Sequence, residues 1–325
     1  SYAQAPIADT YYVGDAFFGG GIENNFNNAT NLANYPYYQD TIAHELGHAL
    51  GLSHPHDTWG SYDANSSNVT KPDTVMAYAP YDGAGVPKTT PELNSKPTTL
   101  MVTDIAAIQY MYGINEQYNS GDTTYMLGSF SDKNYIYASI WDAGGTDTVS
   151  WADQSSSAAI NLTPGSYSFF GKITSQSDTD IDSVFGVGDG LLGIAYGAII
   201  ENAIGGAATD TIVGNSVANM LYGGTGAGVK DTLTGNGGAD IFVCSLSDAS
   251  VDFSLADIIL DFTDGSDKIG LEDRTFSHLT ISNATGSFTG DTQIVDTSSS
   301  KVLFLLDGIN AGLIDENDFV VTDFV

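Results

Sequence analysis

Basic residues are scarce in this sequence. Nine lysines and arginines face 40 aspartates and glutamates in 325 residues, the formal net charge is −31, and Arg274 is the only arginine. Such a surface repels phosphate backbones, so nucleic acid is a poor partner. Self-repulsion on this scale calls for compensation, which bound calcium or a salty environment would supply; acidity that serves solubility alone is the bland reading. Cysteine is as rare. Cys244 stands alone, so an internal disulfide framework is excluded, and a secreted chain of this kind would take its staples from metal ions. No run of about 18 apolar residues is present, so no membrane-spanning helix is expected. The first residues, Ser1-Tyr2-Ala3-Gln4-Ala5-Pro6, lack the basic and apolar regions of a secretory signal peptide. Hydrophobic residues make up 42% of the chain, enough for substantial cores, and the length suits two domains.

Helix signals are confined to the first third. Residues 1–35, with turn signals at Gly19-Gly20-Gly21 and Asn27-Asn28, suit short strands and loops. From about Tyr38 to Leu50 the spacing predicts a helix with an apolar stripe of Ile42, Leu46, Ala49 and Leu50, and Gly51 stands where it would stop. Residues 55–99 read as irregular. A second helix is predicted over Thr99–Tyr112, with Ile105, Ile108 and Met111 at three-residue steps and Gly113 as its stop. Beyond about residue 118, short β-branched and aromatic runs alternate with Gly/Asp/Ser turns, so the remainder reads as all-β.

The first helix carries chemistry. His44 and His48, four residues apart, project from one helix face and can share a zinc ion. Glu45 lies beside the metal position, where the general base that deprotonates an attacking water belongs. A turn at Gly51 would let His54 supply a third nitrogen, and a fourth position left open for water marks a catalytic rather than a structural site. The competing reading is a helix with solvated or core histidines. It is disfavoured because three of the five histidines fall within eleven positions at this spacing. His56 is read as a loop histidine, and His278 receives no role.

The segment His44-Glu45-Leu46-Gly47-His48-Ala49-Leu50-Gly51-Leu52-Ser53-His54 is the extended motif of the metzincin peptidases, and Pro55 after the third histidine resembles the serralysin family. Thr74-Val75-Met76-Ala77-Tyr78 is similar to that family's methionine turn. The resemblance implies Met76 as the floor of the site and Tyr78 as a switchable zinc ligand that hydrogen-bonds the oxyanion during turnover. Taken alone, Met76 would be an ordinary core methionine and Tyr78 a surface aromatic. The family also implies a longer stretch ahead of the zinc helix than the 43 residues that precede His44 here. A separate or missing N-terminal catalytic segment is therefore an expected partner, and Ser1–Pro6 resembles the edge strand along which substrate aligns.

A repeat occupies part of the second half. Its units are Gly205–Val213, Gly214–Tyr222, Gly223–Thr234, with three extra residues at Gly228-Val229-Lys230, and Gly235–Val243. The sixth repeat position holds Asp210, Asn219, Asp231 and Asp240, and the eighth holds Ile212, Leu221, Leu233 and Phe242. Calcium takes six to eight oxygens from carboxylates and carbonyls, which Gly/Asp loops supply. The pattern is similar to the parallel β-roll of the repeats-in-toxin family, in degraded form. The resemblance implies two or three calcium ions among Gly205, Gly206, Ala208, Asp210, Gly223, Gly224, Asp231, Gly235, Gly237 and Asp240. A further site is implied by Trp141–Thr148 and Asn119–Thr123: Asp142 and Asp147 as side-chain ligands, with carbonyls of Asn119, Gly121, Thr123 and Gly144. Gly/Asp turns without metal are the competing reading.

The expected architecture is an α+β metzincin catalytic domain over residues 1–117, incomplete at its N-terminus, followed by an all-β parallel β-roll and β-sandwich over 118–325. The expected function is a secreted, calcium-stabilised zinc endopeptidase acting on proteins and peptides, monomeric, and exported by bacterial type I secretion through a C-terminus resembling the family's, Asp318–Val325. The alternative is a calcium-dependent binding or surface module with an inactive, truncated protease half.

Overall fold

The computed structural model of the chain describes residues 36–55, 69–78, 96–127, 136–170, 190–226, 228–272 and 274–324, with the two-residue strands Tyr2–Ala3, Ala16–Phe17, Asp57–Thr58 and Ser61–Tyr62. His56 and residues 79–95 lie outside the described residues. The fold is predominantly β, with parallel and mixed sheets and two α-helices among the described residues. It divides into two compact units: residues 1–118, 130–143 and 173–198 form the first, and residues 119–129, 144–172 and 199–325 the second.

In the first unit, helix α1 spans Pro36–Ala49. Proline suits the first helical position, where its missing N–H and fixed φ cost nothing. The helix ends in a left-handed cap at Gly51, φ 101°. There the Leu52 N–H donates to the Gly47 carbonyl at 2.9 Å and the Gly51 N–H to the His48 carbonyl at 3.0 Å. Those two bonds are the paired 6→1 and 5→2 bonds of a Schellman motif. The buried stripe differs from the predicted one. Asp40, His44, Gly47 and Ala49 face inward, whereas Leu46 and Leu50 are exposed. Polar groups can occupy the inner face because each has a partner there, as the site geometry below makes plain.

Helix α2 spans Val102–Tyr112, three residues shorter at its start than predicted. The Asp104 carboxylate accepts the Met101 N–H at 2.9 Å, and a side chain that satisfies a donor ahead of the helix sets the first turn. Gly113 closes it, its N–H donating to the Gln109 carbonyl at 2.8 Å. Strand Ile136–Ile140 pairs in parallel with Lys96–Pro97 and with Gly190–Ile194.

The second unit is wound from short strands that alternate between two stacks. One stack is parallel throughout and carries the register Tyr125–Val149–Ala203–Leu221–Phe242–Ile269–Phe319. The other carries Ile160–Ile212–Leu233–Ile259–Leu306 in parallel register. Antiparallel strands Thr292–Asp296 and Leu279–Asn283 extend this second stack at one end. The repeat explains this winding. Every eighth-position residue, Ile212, Leu221, Leu233 and Phe242, is fully buried, and strands buried in this way need apolar residues at matching positions. Full burial of one such side chain is worth about 1.5–3 kcal/mol.

Candidate metal centres

The Schellman cap and the methionine turn assemble three imidazoles in the first unit. The His44 Nδ1–H donates to the Val75 carbonyl at 2.7 Å, and the His48 Nδ1–H to the Leu52 carbonyl at 2.8 Å. Both rings therefore direct Nε2 inward, and in the neutral ring that nitrogen offers a lone pair. His54 Nε2 lies 3.1 Å from His44 Nε2 and 3.0 Å from His48 Nε2. One ring nitrogen has at most one proton, too few to satisfy two such contacts, so the convergence is one of lone pairs. Tetrahedral zinc with Zn–N of about 2.0–2.1 Å would space its ligand nitrogens by about 3.3 Å, so the donor set fits zinc in kind and in size. Burial pushes the His44 pKa down to about 3, so the ring remains neutral and ready to ligate.

Met76 and Tyr78 both lie against the histidine-bearing helix or its rings. Met76 is buried, and a Cβ built on Gly47 would stand 2.5 Å from its Sδ. Only a glycine between the two histidines lets the methionine approach the helix that closely. Tyr78 is 41% exposed. Its ring stacks on His44 with centroids 5.5 Å apart and lies 4.7 Å from the His54 ring. Glu45 is half-buried on the helix next to His44.

Two residues that the motif does not include, Lys71 and Asp104, hold the Val75 peptide. Buried Lys71 donates to the Val75 carbonyl at 2.8 Å and pairs with buried Asp40 at 2.6 Å. The Val75 N–H donates to the Asp104 carboxylate at 2.8 Å, and Thr74 Oγ1 donates to that carboxylate too. Burial raises the Asp104 pKa against these bonds, which lower it.

In the second unit, the repeat aspartates stack along the roll. Asp231 accepts the Asp210 N–H at 2.7 Å, and Asp257 accepts the Asp231 N–H at 2.8 Å. At the opposite turns, Asp240 accepts the Asn219 N–H at 2.8 Å and Asp267 the Asp240 N–H at 3.1 Å. The unit-opening glycines leave room for a side-chain oxygen of each sixth-position residue. A Cβ on Gly205, Gly214, Gly223 or Gly235 would stand 2.3–2.6 Å from an oxygen of Asp210, Asn219, Asp231 or Asp240. Gly206 donates its N–H to Asp210 at 2.5 Å. Ala208 and Gly237 are half-buried in these turns, and Gly224 presses on the Gly206 carbonyl, 1.9 Å from where its Cβ would be.

Asp231, Asp248 and Asp257 converge, their nearest carboxylate oxygens lying within 4.8 Å of one another. All three are buried, and Asp231 Oδ2 and Asp248 Oδ1 have no hydrogen-bond partner. Burial raises the pKa of each, and neighbouring carboxylates raise them further. Buried, unsatisfied carboxylate oxygens suit a hard cation such as calcium. Asp248 and Asp257 were missed from the sequence because the repeat spacing breaks after Asp240 and no glycine pair flags them.

The upstream loops also meet. The Thr123 N–H donates to Asp147 at 2.8 Å and the Thr146 N–H to Asp122 at 2.9 Å, while a Cβ on Gly145 would stand 2.7 Å from the Gly121 carbonyl oxygen. Asn119 adopts a positive φ of 49°, as does Gly144 at 143°. Glu201 adds a carboxylate that the sequence reading did not assign, accepting the Asp147 N–H at 2.8 Å. Asp142 is buried in the first unit.

Comparison with known proteins matches residues 103–322 to the family described as Peptidase M10 serralysin C terminal. Serralysin C of Dickeya chrysanthemi is 37% identical over 223 residues, which cover 63% of this chain and 43% of its own length. Metallopeptidase AprA of Pseudomonas marginalis is 32% identical over 353 aligned positions, covering 100% of this chain and 68% of its own length. Metalloprotease AprA of Pseudomonas entomophila strain L48 is 34% identical over 204 residues, 57% of this chain and 38% of its own length. The chain thus spans between 38% and 68% of these relatives. With the family matched across most of its length, the chain belongs to the serralysin family of M10 peptidases.

Proposed function

We propose that this chain carries the catalytic zinc site and the calcium-binding roll of a secreted endopeptidase. The convergence of His44, His48 and His54 through Nε2, with Glu45 and Tyr78 beside them, is the observation that carries this reading. Zinc held there supplies Lewis acidity, polarising a peptide carbonyl and acidifying the attacking water. Glu45 takes the proton from that water at its carboxylate and returns it to the leaving amine. The Tyr78 hydroxyl donates to the oxyanion that develops on the carbonyl. Asp104 and the Schellman cap keep the ligand-bearing segments in register with one another.

Calcium has a structural role in this proposal. Asp210, Asp231, Asp240, Asp248 and Asp257 in the roll, and Asp122, Asp147 and Glu201 at the upstream loops, are its side-chain donors. Neutralising them outside the cell couples export by type I secretion to folding. The relatives named serralysin and metalloprotease support the activity.

The test is hydrolysis of casein by the zinc-loaded, calcium-replete chain. Activity that 1,10-phenanthroline abolishes is the expected result. A correctly folded sample with zinc bound and no turnover would favour the second reading, a calcium-dependent binding module.

A further inference from the structure

We propose that Lys71 and Asp40 are positioning residues for the three-histidine site, an inference that rests on the zinc reading above. One carbonyl carries the argument. Val75 O accepts from His44 Nδ1 at 2.7 Å and from Lys71 Nζ at 2.8 Å, so both of its lone pairs are used. Lys71 is held in turn by Asp40 at 2.6 Å, one helical turn before His44 on the same face of α1. The relay runs from Asp40 through Lys71 and Val75 to His44, and leaves the helix only to return to it one turn later.

The cost of this arrangement points to a role. Side chains of the pair are 4% and 6% exposed, in a chain with only nine basic residues. A buried ion pair is often no more stabilising than apolar residues of similar volume, so burial alone gives no reason to place one here. At this carbonyl the ammonium does something an apolar side chain cannot. It fixes the direction in which Val75 O accepts, which fixes the His44 tautomer and aims its Nε2 at the metal. Partners of this kind outside the ligand set contribute about 10- to 100-fold to metal affinity.

The two residues are not equivalent in this role. Lys71 touches the carbonyl; Asp40 acts only by holding Lys71. An uncharged lysine amine still donates, so Asp40→Asn preserves the bond to Val75, whereas Lys71→Met removes it. A merely structural ion pair would make the two substitutions equal.

The test uses the full calcium-replete chain, with zinc affinity read by competition against a chelating indicator and the site read by the d–d absorption of the cobalt-substituted protein. Lys71→Met is expected to weaken zinc about 10- to 100-fold and to alter the cobalt spectrum. Lys71→Arg should restore both, and Asp40→Asn should cost less than Lys71→Met. The double variant Asp40→Leu with Lys71→Met leaves no unpaired buried charge, so its zinc affinity separates positioning from misfolding. A folded Lys71→Met or double variant with unchanged affinity and an unchanged cobalt spectrum overturns the proposal. A parent chain that binds zinc and yet hydrolyses no casein would count against the proposed function and leave this inference standing.

Discussion

His48 donates its Nδ1–H to the Leu52 carbonyl at 2.8 Å, so one histidine of the three-imidazole cluster is oriented by the very turn that ends its own helix. That turn depends on Gly51, whose φ of 101° suits glycine and strains any other residue. Gly51→Ala should therefore cost about 1–3 kcal/mol of stability. Because the same turn brings His54 to the site, zinc affinity should fall as well, beyond what the stability loss explains. Thermal melts with and without zinc check this. An alanine variant whose melting temperature rises with zinc as much as the parent's would contradict it.

Two glycines of the roll make opposite predictions. Gly224 has φ 122°, and its Cβ would stand 1.9 Å from the Gly206 carbonyl oxygen, with backbone on both sides. Neither can yield without separating two turns, so Gly224→Ala should destabilise by about 1–3 kcal/mol or more. Gly237 has nothing closer to its would-be Cβ than Ser216 Cα at 3.9 Å. Gly237→Ala should stay within about 0.5 kcal/mol of the parent. Urea denaturation in calcium buffer distinguishes the two, and equal effects would show that the turns do not stack as described.

The three-histidine cluster is legible in the sequence because its geometry is local. His44, Glu45, His48, Gly51 and His54 lie within one helix and its cap, where spacing alone dictates geometry. The roll was legible for a related reason: its period of nine sets Ile212, Leu221, Leu233 and Phe242 in the interior. Sequence reasoning missed whatever depends on distant partners. Lys71 meets Asp40 across 31 positions, and Asp104 meets Val75 across 29. No periodicity announces such pairs. The inner face of α1 was misjudged for the same cause, since hydropathy favours Leu46 over Asp40 until Lys71 is known to wait opposite.

The carboxylates of the roll set the sign of its pH dependence. Burial raises Asp210 and Asp240 from the ordinary 3.8 to about 6, and raises Asp231 and Asp248 further. A raised folded-state pKa means that the folded protein binds more protons than the unfolded chain. The resulting stability is present in full below the ordinary value and is lost as pH rises through the raised one. Without calcium, the melting temperature should fall between about pH 4 and pH 7, a trend that the growing net negative charge reinforces. Calcium binding needs the deprotonated groups, so stabilisation by calcium should weaken as pH drops through about 6. Melts in EGTA and in excess calcium across this range test both halves. A calcium-free protein that gains stability over the same interval would show that these carboxylates are not protonated in the fold.

Glu45 and Tyr78 should separate in the kinetics because they act at different atoms. Glu45→Gln removes the base but preserves the side chain's shape, so turnover should be lost while zinc remains bound to the three histidines. Tyr78→Phe preserves the ring that stacks on His44 and removes only the hydroxyl. If that hydroxyl holds the oxyanion, the loss belongs to the transition state, and kcat should fall about 10²- to 10³-fold with little change in KM. If Tyr78 were only a surface aromatic, as its 41% exposure alone would suggest, kcat would not move. Steady-state cleavage of a fluorogenic peptide by the parent and both variants, each checked for zinc content, decides between the two roles.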